Sequence, residues 1–334
     1  MNYLASFPNT RLRRLRQSYP IRNLVRETNL SVNDLIWPVF IIDGKNEKQP
    51  IPSMPGTFRY SIDTLLQELN EAIDLGINAI ALFPNIDPSL KDENGLEAIN
   101  QNTLVVRAVE IIKNHFPELV VICDIALDPY TTHGHDGILN DRGEVDNDKT
   151  IEILCRQAIL LAEAGCDIVA PSDMMDGRIG TIRESLDYNG FLNTVILSYA
   201  AKYASSFYSA FRDAVGSGKN LGKSTKETYQ MDPANSKEAL REVALDIQEG
   251  ADIVMVKPAV HYLDIIKSIS DNFPIPVFAY HVSSEYALLK LASAHGLINY
   301  DNAIFETLIS IKRAGAKSIF TYAAKEVAYL LKSY

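Results

Sequence analysis

The sequence predicts one α/β domain, a (β/α)8 (TIM) barrel, with an extended N-terminal arm. One pattern recurs at 75–84, 164–172, 249–258 and 314–322: a helical stretch ends at a glycine, and an apolar strand starts two or three residues later. Further apolar runs at 35–42, 120–127, 194–199 and 276–282 complete eight strands. The sequence has no G-x-G-x-x-G phosphate loop, which favours a closed barrel over an open sheet.

Helical patterns lie between these strands, at 61–75, 104–114, 148–164, 236–248, 262–271, 285–294, 302–313 and 325–331. A length of 334 residues suits one barrel with extensions. We therefore expect an arm for subunit contacts at 1–30 and a catalytic barrel at 31–334. The segment 206–229, which we call the lid, is rich in Gly, Ser and Lys and follows a strand. It is expected to cover the barrel mouth, and the alternative is a surface loop without function.

The composition describes a soluble globular chain, with 47% apolar and 22% charged residues. A net charge of −10 argues against a nucleic-acid partner. No apolar stretch approaches the roughly 20 residues that cross a membrane, so no membrane partner and a cytoplasmic location are expected. The arginine-rich arm allows three interpretations, a transit peptide, a nucleic-acid arm or a segment packed on a neighbouring subunit, and we favour the last. The three cysteines form no C-x-x-C motif and are expected to be reduced.

Lys257 ends an almost wholly apolar strand and precedes Pro258, which cannot continue a sheet ladder. The lysine should therefore lie at the carboxyl end of a barrel strand, where barrel enzymes place their active sites. Burial would lower its pKa, and the neutral amine could form a Schiff base with a ketone. The alternative is an ordinary strand-end lysine that pairs with a carboxylate or extends to solvent.

Other polar residues follow the predicted strands. Lys202 comes after 194–199, so two amines could hold two carbonyl substrates in one mouth. Alternation along 120–127 would place Asp124 and Asp128 on one side. His133, His135 and Asp136 add potential metal ligands, although H-x-H-D fits no fixed coordination template. Further candidates for hydrogen bonding or carboxylate binding are Ser172, Arg212, Lys226, Ser283 and Tyr322.

Long motifs across nearly the whole chain resemble the delta-aminolevulinic acid dehydratase (porphobilinogen synthase) family. They are R-L-R-R-L-R at 11–16, W-P-V-F at 37–40, D-I-A-L-D-P-Y-T-T-H-G-H-D at 124–136, A-P-S-D-M-M-D-G-R at 170–178, K-Y-A-S-S-F-Y at 202–208, Y-Q-M-D-P-A-N at 229–235, V-K-P at 256–258 and T-Y at 321–322. The resemblance implies a barrel enzyme of tetrapyrrole (haem) synthesis that joins two 5-aminolevulinate molecules into porphobilinogen with loss of two waters.

The resemblance also implies residue roles. Lys257 matches the lysine that binds the substrate supplying the propionate side, and Lys202 matches that of the second substrate site. Asp124 and Ser172 match residues near these lysines, where we expect help with proton transfer. The residues expected to bind substrate are Arg212, Lys226, Ser283, Tyr322, Gln230 and Tyr199.

Metal use is implied by comparison between branches of that family. The zinc branch has three cysteines where Ala126, Asp128 and Asp136 stand here, so no cysteine-ligated zinc is expected. The pattern resembles the magnesium-stimulated branch, in which Glu242 matches a ligand of a largely hydrated, allosteric Mg²⁺. The resemblance leaves open whether Asp128 and Asp136 bind a metal, and we expect that they do not. No organic cofactor is expected.

Family members wrap the arm around a neighbouring barrel, which implies a homo-octamer or a hexamer. Two other classes remain: a Schiff-base class I aldolase, which needs only one reactive lysine, and a non-enzymatic oligomeric scaffold or small-ligand binder. Replacement of Lys202 separates the two enzymes, because an aldolase would retain its turnover.

Overall fold

A computed structural model describes residues 6–216 and 225–333, and the barrel forms within these ranges. Its strands are β1 (Leu35–Ile41), β2 (Lys48–Pro50), β3 (Phe58–Tyr60), β4 (Ala79–Pro84), β5 (Val120–Ile125), β6 (Ile168–Pro171), β7 (Val195–Lys202), β8 (Ile253–Lys257), β9 (Val277–His281) and β10 (Ser318–Thr321). β1 and β4 to β10 pair in parallel in chain order, and β10 pairs with β1 to close the barrel. The predicted fold class is confirmed.

The helices of the described ranges are α1 (Tyr19–Leu24), α2 (Ile62–Asp74), α3 (Leu104–His115), α4 (Asn147–Glu163), α5 (Arg178–Tyr188), α6 (Ser209–Val215), α7 (Lys237–Glu249), α8 (Leu263–Asn272), α9 (Ser283–Ala294), α10 (Tyr300–Ala314) and α11 (Ala324–Ser333). Helix α1 belongs to the arm and α6 to the lid, and the others surround the barrel on its outside. Apolar residues at three- and four-residue spacing face inward, as Leu65, Leu69 and Ala72 do in α2. Strands lie between this shell and the barrel interior, so every residue of β1 is buried.

The four repeated αβ joints form as predicted. Gly76, Gly165, Gly250 and Gly315 have φ of 93°, 100°, 106° and 123°, a left-handed region that other residues rarely adopt. Each follows the end of a helix and turns the chain into the next strand. This repeated joint is why the sequence predicts the fold well.

Two features differ from the predicted elements. The short antiparallel hairpin of β2 and β3 was not predicted, because three-residue strands carry almost no periodic signal; β3 adds to the end of β1. Helix α5 was also missed, because its buried side includes a charged residue, Arg178, beside Ile179, Ile182 and Leu186. Charge at a core position removes the apolar stripe by which a helix is identified.

The described part of the arm contains a 3-10 turn at Leu12–Arg16 and α1. It exposes large apolar side chains, with Phe7, Leu12, Leu15 and Leu24 at 73%, 67%, 51% and 85% of full exposure. None of the helices in the described ranges has the length and apolar character to cross a bilayer.

Candidate active site

Lys202 and Lys257 are the last residues of neighbouring strands, β7 and β8, and are register partners. Neighbouring strands lie about 4.8 Å apart, so the two lysines start from adjacent points of the same rim. The register shifts between Ser198 and Ala201, where β7 contains one residue more than β8. This bulge moves Lys202 level with Lys257, whereas an unshifted ladder would have brought Ala201 there. Strand β7 therefore ends three residues later than predicted, at Lys202.

Aromatic rings surround the Lys257 ammonium position. The Nζ atom lies 4.5 Å from the ring centre of Tyr280, 5.0 Å from those of Tyr199 and Phe211, and 5.4 Å from that of Tyr208. The lysine itself is only 6% exposed. Of these rings, only that of Tyr199 belongs to the predicted site residues. Tyr280 lies on β9, and Tyr208 and Phe211 lie in the lid. In the sequence, aromatic residues at such positions cannot be distinguished from ordinary core residues.

Burial and the neighbouring charge of Lys202 lower the pKa of Lys257 from 10.5 to about 7. A ring face favours a desolvated cation by about 2 kcal/mol or more, whereas moving an isolated ion from water into an apolar medium costs on the order of tens of kcal/mol. That attraction is smaller than the cost of burying an unpaired ammonium group, so the neutral amine is well populated at neutral pH. The geometry supplies a nucleophile of the kind that attacks ketones.

Lys202 is also buried, but it has polar partners. Its Nζ donates to the backbone carbonyl of Ser172 and lies 3.7 Å from Oδ2 of Asp136. Ser172 directly follows β6. The ends of three consecutive strands, β6, β7 and β8, therefore contribute residues to the site of the two lysines.

Asp124 lies on β5 near both lysines. Burial raises its pKa to about 7, against the opposing effect of the charges of Lys202 and Lys257. Its Oδ1 is buried without a hydrogen-bond partner among the described residues. A carboxyl group with such a pKa can both accept and donate a proton near neutrality.

Lys226, Asp128 and Asp136 form a buried ion-pair cluster. Lys226 Nζ lies 2.9 Å from Asp136 Oδ1 and 3.3 Å from Asp128 Oδ2. Burial opposes ionisation, but the charges of Lys202 and Lys226 outweigh it and hold the pKa of Asp136 at about 2. The pKa of Asp128 is instead raised, because burial and the charge of Asp136 exceed the help it receives from the lysines.

One expectation about this cluster needs correction. Strand β5 ends at Ile125, so the predicted alternation does not reach Asp128, whose position is set by the following loop. Lys226, expected in the lid as a substrate clamp, joins the lid to the loop that carries Asp136. Its role toward substrate stays a prediction.

The first part of the lid is helical and lies against the barrel mouth. Ser283 Oγ accepts a hydrogen bond from the Phe211 amide at 2.9 Å, and the Tyr208 hydroxyl donates to the Lys257 carbonyl at 2.9 Å. Residues 217–224, the centre of the predicted lid, lie outside the described residues. Ser283 therefore holds the lid in this structure.

Arg212 belongs to the described part of the lid, and Gln230 directly follows the lid. Arg212 Nε and Gln230 Oε1 are buried and have no hydrogen-bond partner within the described ranges. Buried polar atoms of folded proteins are nearly always satisfied. The buried atoms without a hydrogen-bond partner, Arg212 Nε, Gln230 Oε1 and Asp124 Oδ1, indicate that a polar ligand completes this region.

Tyr322 follows β10, and its hydroxyl lies 3.0 Å from that of Tyr280, one of the rings around Lys257. Its ring stacks on Phe40, with the centres 5.6 Å apart. The predicted position of Tyr322 at the rim is therefore linked to Lys257 through one intervening tyrosine.

A cavity of about 330 Å³ is lined by Tyr322 but not by Lys202 or Lys257. Its charged groups neutralise one another, since Glu68 lies 2.7 Å from both Lys48 and Lys325. A site with compensated charges offers no activated group, so we place the chemistry at Lys202 and Lys257.

Glu242 lies apart from these groups, in a second cavity of about 540 Å³. This cavity, which we call the acidic cavity, is also lined by Glu144, Asp176, Glu227, Asp232 and Glu238. Burial and the nearby charge of Asp246 raise the pKa of Glu242. Gln230 lines the same cavity, so the acidic cavity borders the lid.

Known proteins with this architecture share both sequence and structure with the chain. The family model "Delta-aminolevulinic acid dehydratase" matches residues 9–330. The enzyme of that name from Bradyrhizobium diazoefficiens is 54% identical over 97% of this chain and 91% of its own length. That from Methanothermus sociabilis is 52% identical over 96% and 98%.

A crystal structure gives the same result. The delta-aminolevulinic acid dehydratase (porphobilinogen synthase) of Toxoplasma gondii, solved in complex with the reaction product porphobilinogen, superposes with a TM-score of 0.95 at 47% identity, covering 97% of this chain and 92% of that one. Given matches of this extent, the chain belongs to the delta-aminolevulinic acid dehydratase family.

Proposed function

We propose that this protein is a lyase that condenses two molecules of 5-aminolevulinate into porphobilinogen and releases two waters. The observation that carries the proposal is the register pairing of Lys202 with Lys257 at one barrel rim. Two amines at adjacent strand ends can hold two ketones in one cavity, which replaces a bimolecular encounter by an oriented one.

Lys257 begins the reaction, since a large fraction of this amine is neutral near pH 7. Its nitrogen attacks one substrate ketone, and loss of one water leaves an imine whose cationic form withdraws electrons from the neighbouring carbon. Asp124, with its pKa of about 7, exchanges the protons that these steps require. Lys202 holds the second substrate, with Ser172 and Asp136 orienting its amine.

The substrate carboxylates require cationic and hydroxyl donors. We assign one carboxylate to Arg212, whose Nε lacks a partner in the described structure, together with Lys226. The other is assigned to Ser283 and Tyr322. Lys226 would leave Asp128 and Asp136 when substrate arrives, which couples substrate binding to rearrangement of the lid.

Borohydride trapping tests the proposal. Reduction in the presence of 5-aminolevulinate should attach substrate to Lys257, and purified protein should form porphobilinogen in a colorimetric assay. Lys202→Met should abolish the product, whereas a class I aldolase would keep its turnover. Lys267→Met, a change at an exposed lysine, is the control. An active preparation in which Lys257 stays unmodified would end this assignment.

We further propose that a hydrated Mg²⁺ binds allosterically in the acidic cavity at Glu242. The carboxylates there suit the cation, and in the described ranges no three ligand side chains converge closely enough to form a direct cage. Mg²⁺ retains several waters and needs few carboxylates. Glu242→Gln should weaken Mg²⁺ binding in calorimetry and remove the stimulation of activity by the metal, but it should keep the basal reaction. The control Glu152→Gln, at an exposed position of α4, should change neither Mg²⁺ binding nor the stimulation.

We place no metal at Asp128 and Asp136, because Lys226 already pairs with both carboxylates. Ala126 and these two aspartates offer no thiolate, which supports a zinc-cysteine-free enzyme. Metal analysis of the purified protein tests this assignment, and tightly bound stoichiometric zinc would contradict it.

We also propose a homo-octamer, with a hexamer as the alternative, in which the arm packs on a neighbouring subunit. Support comes from the apolar side chains that the arm exposes, among them Phe7 and Leu24. Light scattering should give about eight times the 37.2 kDa chain mass. The free thiols of Cys123, Cys155 and Cys166 suit the cytoplasm, a reducing compartment.

A further inference from the structure

Arg59 and Asn85 stand on either side of the carboxyl end of β1. Arg59 lies on β3 and is the register partner of Phe40. Asn85 follows β4 directly, and its backbone N–H donates to the Ile41 carbonyl at 2.8 Å. This hydrogen bond continues the β1–β4 ladder. Both residues are partly buried and rest on the rigid rim of the barrel.

Both side chains donate to one backbone atom of the lid. Arg59 Nε lies 2.6 Å and Asn85 Nδ2 lies 3.0 Å from the carbonyl oxygen of Ala214, in the last turn of α6. Ala214 is fully buried. Carbonyls in the last turn of a helix have no partner within the helix, so these donors satisfy an acceptor that α6 itself leaves open.

The chain after α6 also fits closely against Asn85. Gly216 has φ of 70°, and a Cβ there would stand 3.2 Å from Asn85 Nδ2. A side chain would thus have to displace this amide group. The lid backbone therefore approaches the rim closely at the Ala214 carbonyl and again at Gly216.

Helix α6 has seven residues, too few to persist without tertiary support. Its first turn is held by Ser283, which binds the Phe211 amide. The same helix carries Arg212 and the Phe211 ring that faces Lys257 at 5.0 Å. If its last turn were released, the helix could pivot about Ser283 and withdraw both side chains from the mouth.

We propose that Arg59 and Asn85 are positioning residues that latch α6 onto the barrel and so place Arg212 for substrate. The proposal rests on the proposed function for its kinetic consequences, whereas the latch itself depends only on contacts within the chain. It predicts a lid that loosens and a substrate that binds less tightly when either donor is removed.

The test compares Asn85→Ala and Arg59→Lys with Asn70→Ala. Asn70 is a matched control, because its side-chain amide also donates to a helix carbonyl, that of Leu66, at 2.9 Å, at an exposed position of α2. Hydrogen exchange of the peptide 205–216 should speed up about tenfold in both latch variants, in line with loss of one hydrogen bond, and stay unchanged in the control. KM for 5-aminolevulinate should rise about tenfold, with kcat within threefold of wild type.

Thermal unfolding separates a local effect from general damage. The latch variants should unfold within a few degrees of Asn70→Ala, with faster exchange confined to 205–216. Exchange equal to wild type in both latch variants would overturn the proposal, and so would faster exchange with an unchanged KM or faster exchange throughout the chain. If wild type formed no porphobilinogen but the lid peptide still loosened, the latch would stand and the proposed function would fail.

Discussion

Lys202→Met should shift the reactivity of Lys257 to higher pH. Lys257 has a pKa of about 7 because it is buried and because the positive charge of Lys202 disfavours a second cation. Methionine has a similar volume but no charge, so it removes the second cause and leaves the first. The ammonium form of Lys257 then persists to higher pH, and less of the nucleophilic amine is present at neutrality.

The magnitude follows from the strand geometry. Register partners on adjacent strands lie about 5 Å apart, and two unit charges at that separation interact by about 3 kcal/mol at an effective dielectric constant of 20. One pKa unit corresponds to 1.36 kcal/mol, and the Asp136 carboxylate near Lys202 offsets part of the repulsion. We expect the pKa of Lys257 to rise by about one to two, which reduces its neutral fraction at pH 7 about five- to fiftyfold.

The assay is the rate of borohydride trapping of 4-oxopentanoate on Lys257 as a function of pH. This ligand has the ketone and the carboxylate of the substrate but no amine, so it cannot condense. Wild type should lose reactivity as the pH falls through about 7, and Lys202→Met should lose it at higher pH. Asp124→Asn should move the profile the opposite way, because the Asp124 carboxylate favours the Lys257 cation. Superimposable profiles for wild type and Lys202→Met, or shifts of the same sign in both variants, would refute the electrostatic account.

Substitutions at three other positions test the energetics of the site. Lys257→Met should stabilise the protein at pH 7 by up to about 4 kcal/mol. The reason is that Lys257 binds a proton between pH 7 and 10.5 in the unfolded chain but not in the folded chain. The increase in the free energy of unfolding, measured with denaturant, should therefore shrink toward pH 10. Asp136→Asn should destabilise by about 3 kcal/mol, because it removes the nearest partner of buried Lys226; with a folded pKa of about 2, the difference from wild type should hold above pH 4 and fade as the pH approaches 2. Phe40→Ala should cost about 3–5 kcal/mol and raise KM by releasing the stacked Tyr322, whereas Phe40→Leu should cost less.

The barrel and its reactive end could be predicted because both depend on local signals. The glycines at the αβ joints, such as Gly250, require a backbone conformation that the sequence shows directly. Pro258 fixes the end of β8, and therefore the position of Lys257, in the same way. A strand end in a closed parallel barrel has only one rim to occupy, so the site followed from the fold.

The remaining parts of the site depend on tertiary register, which single-strand patterns do not contain. Nothing in the sequence around Ser198 indicates the extra residue that brings Lys202 level with Lys257. The contacts of Arg59 and Asn85 with Ala214 join positions more than 120 residues apart. The pairing of Lys226 with Asp136 joins positions 90 residues apart, and its residue types alone fit a substrate clamp just as well.

The charges of the mouth make the two amines unequal. The structure brings three lysines and three aspartates together: Lys202, Lys226, Lys257, Asp124, Asp128 and Asp136.

Lys226 pairs with Asp128 and Asp136, and Lys202 approaches Asp136, which leaves Lys257 and Asp124 without a close ionic partner among the described residues. Burial moves the pKa of each of these two groups to about 7, the lysine from above and the aspartate from below. Proton transfer between two groups of matched pKa costs little free energy. The paired residues therefore fix charge at one side of the mouth, while the unpaired acid and amine can exchange the protons that imine formation needs.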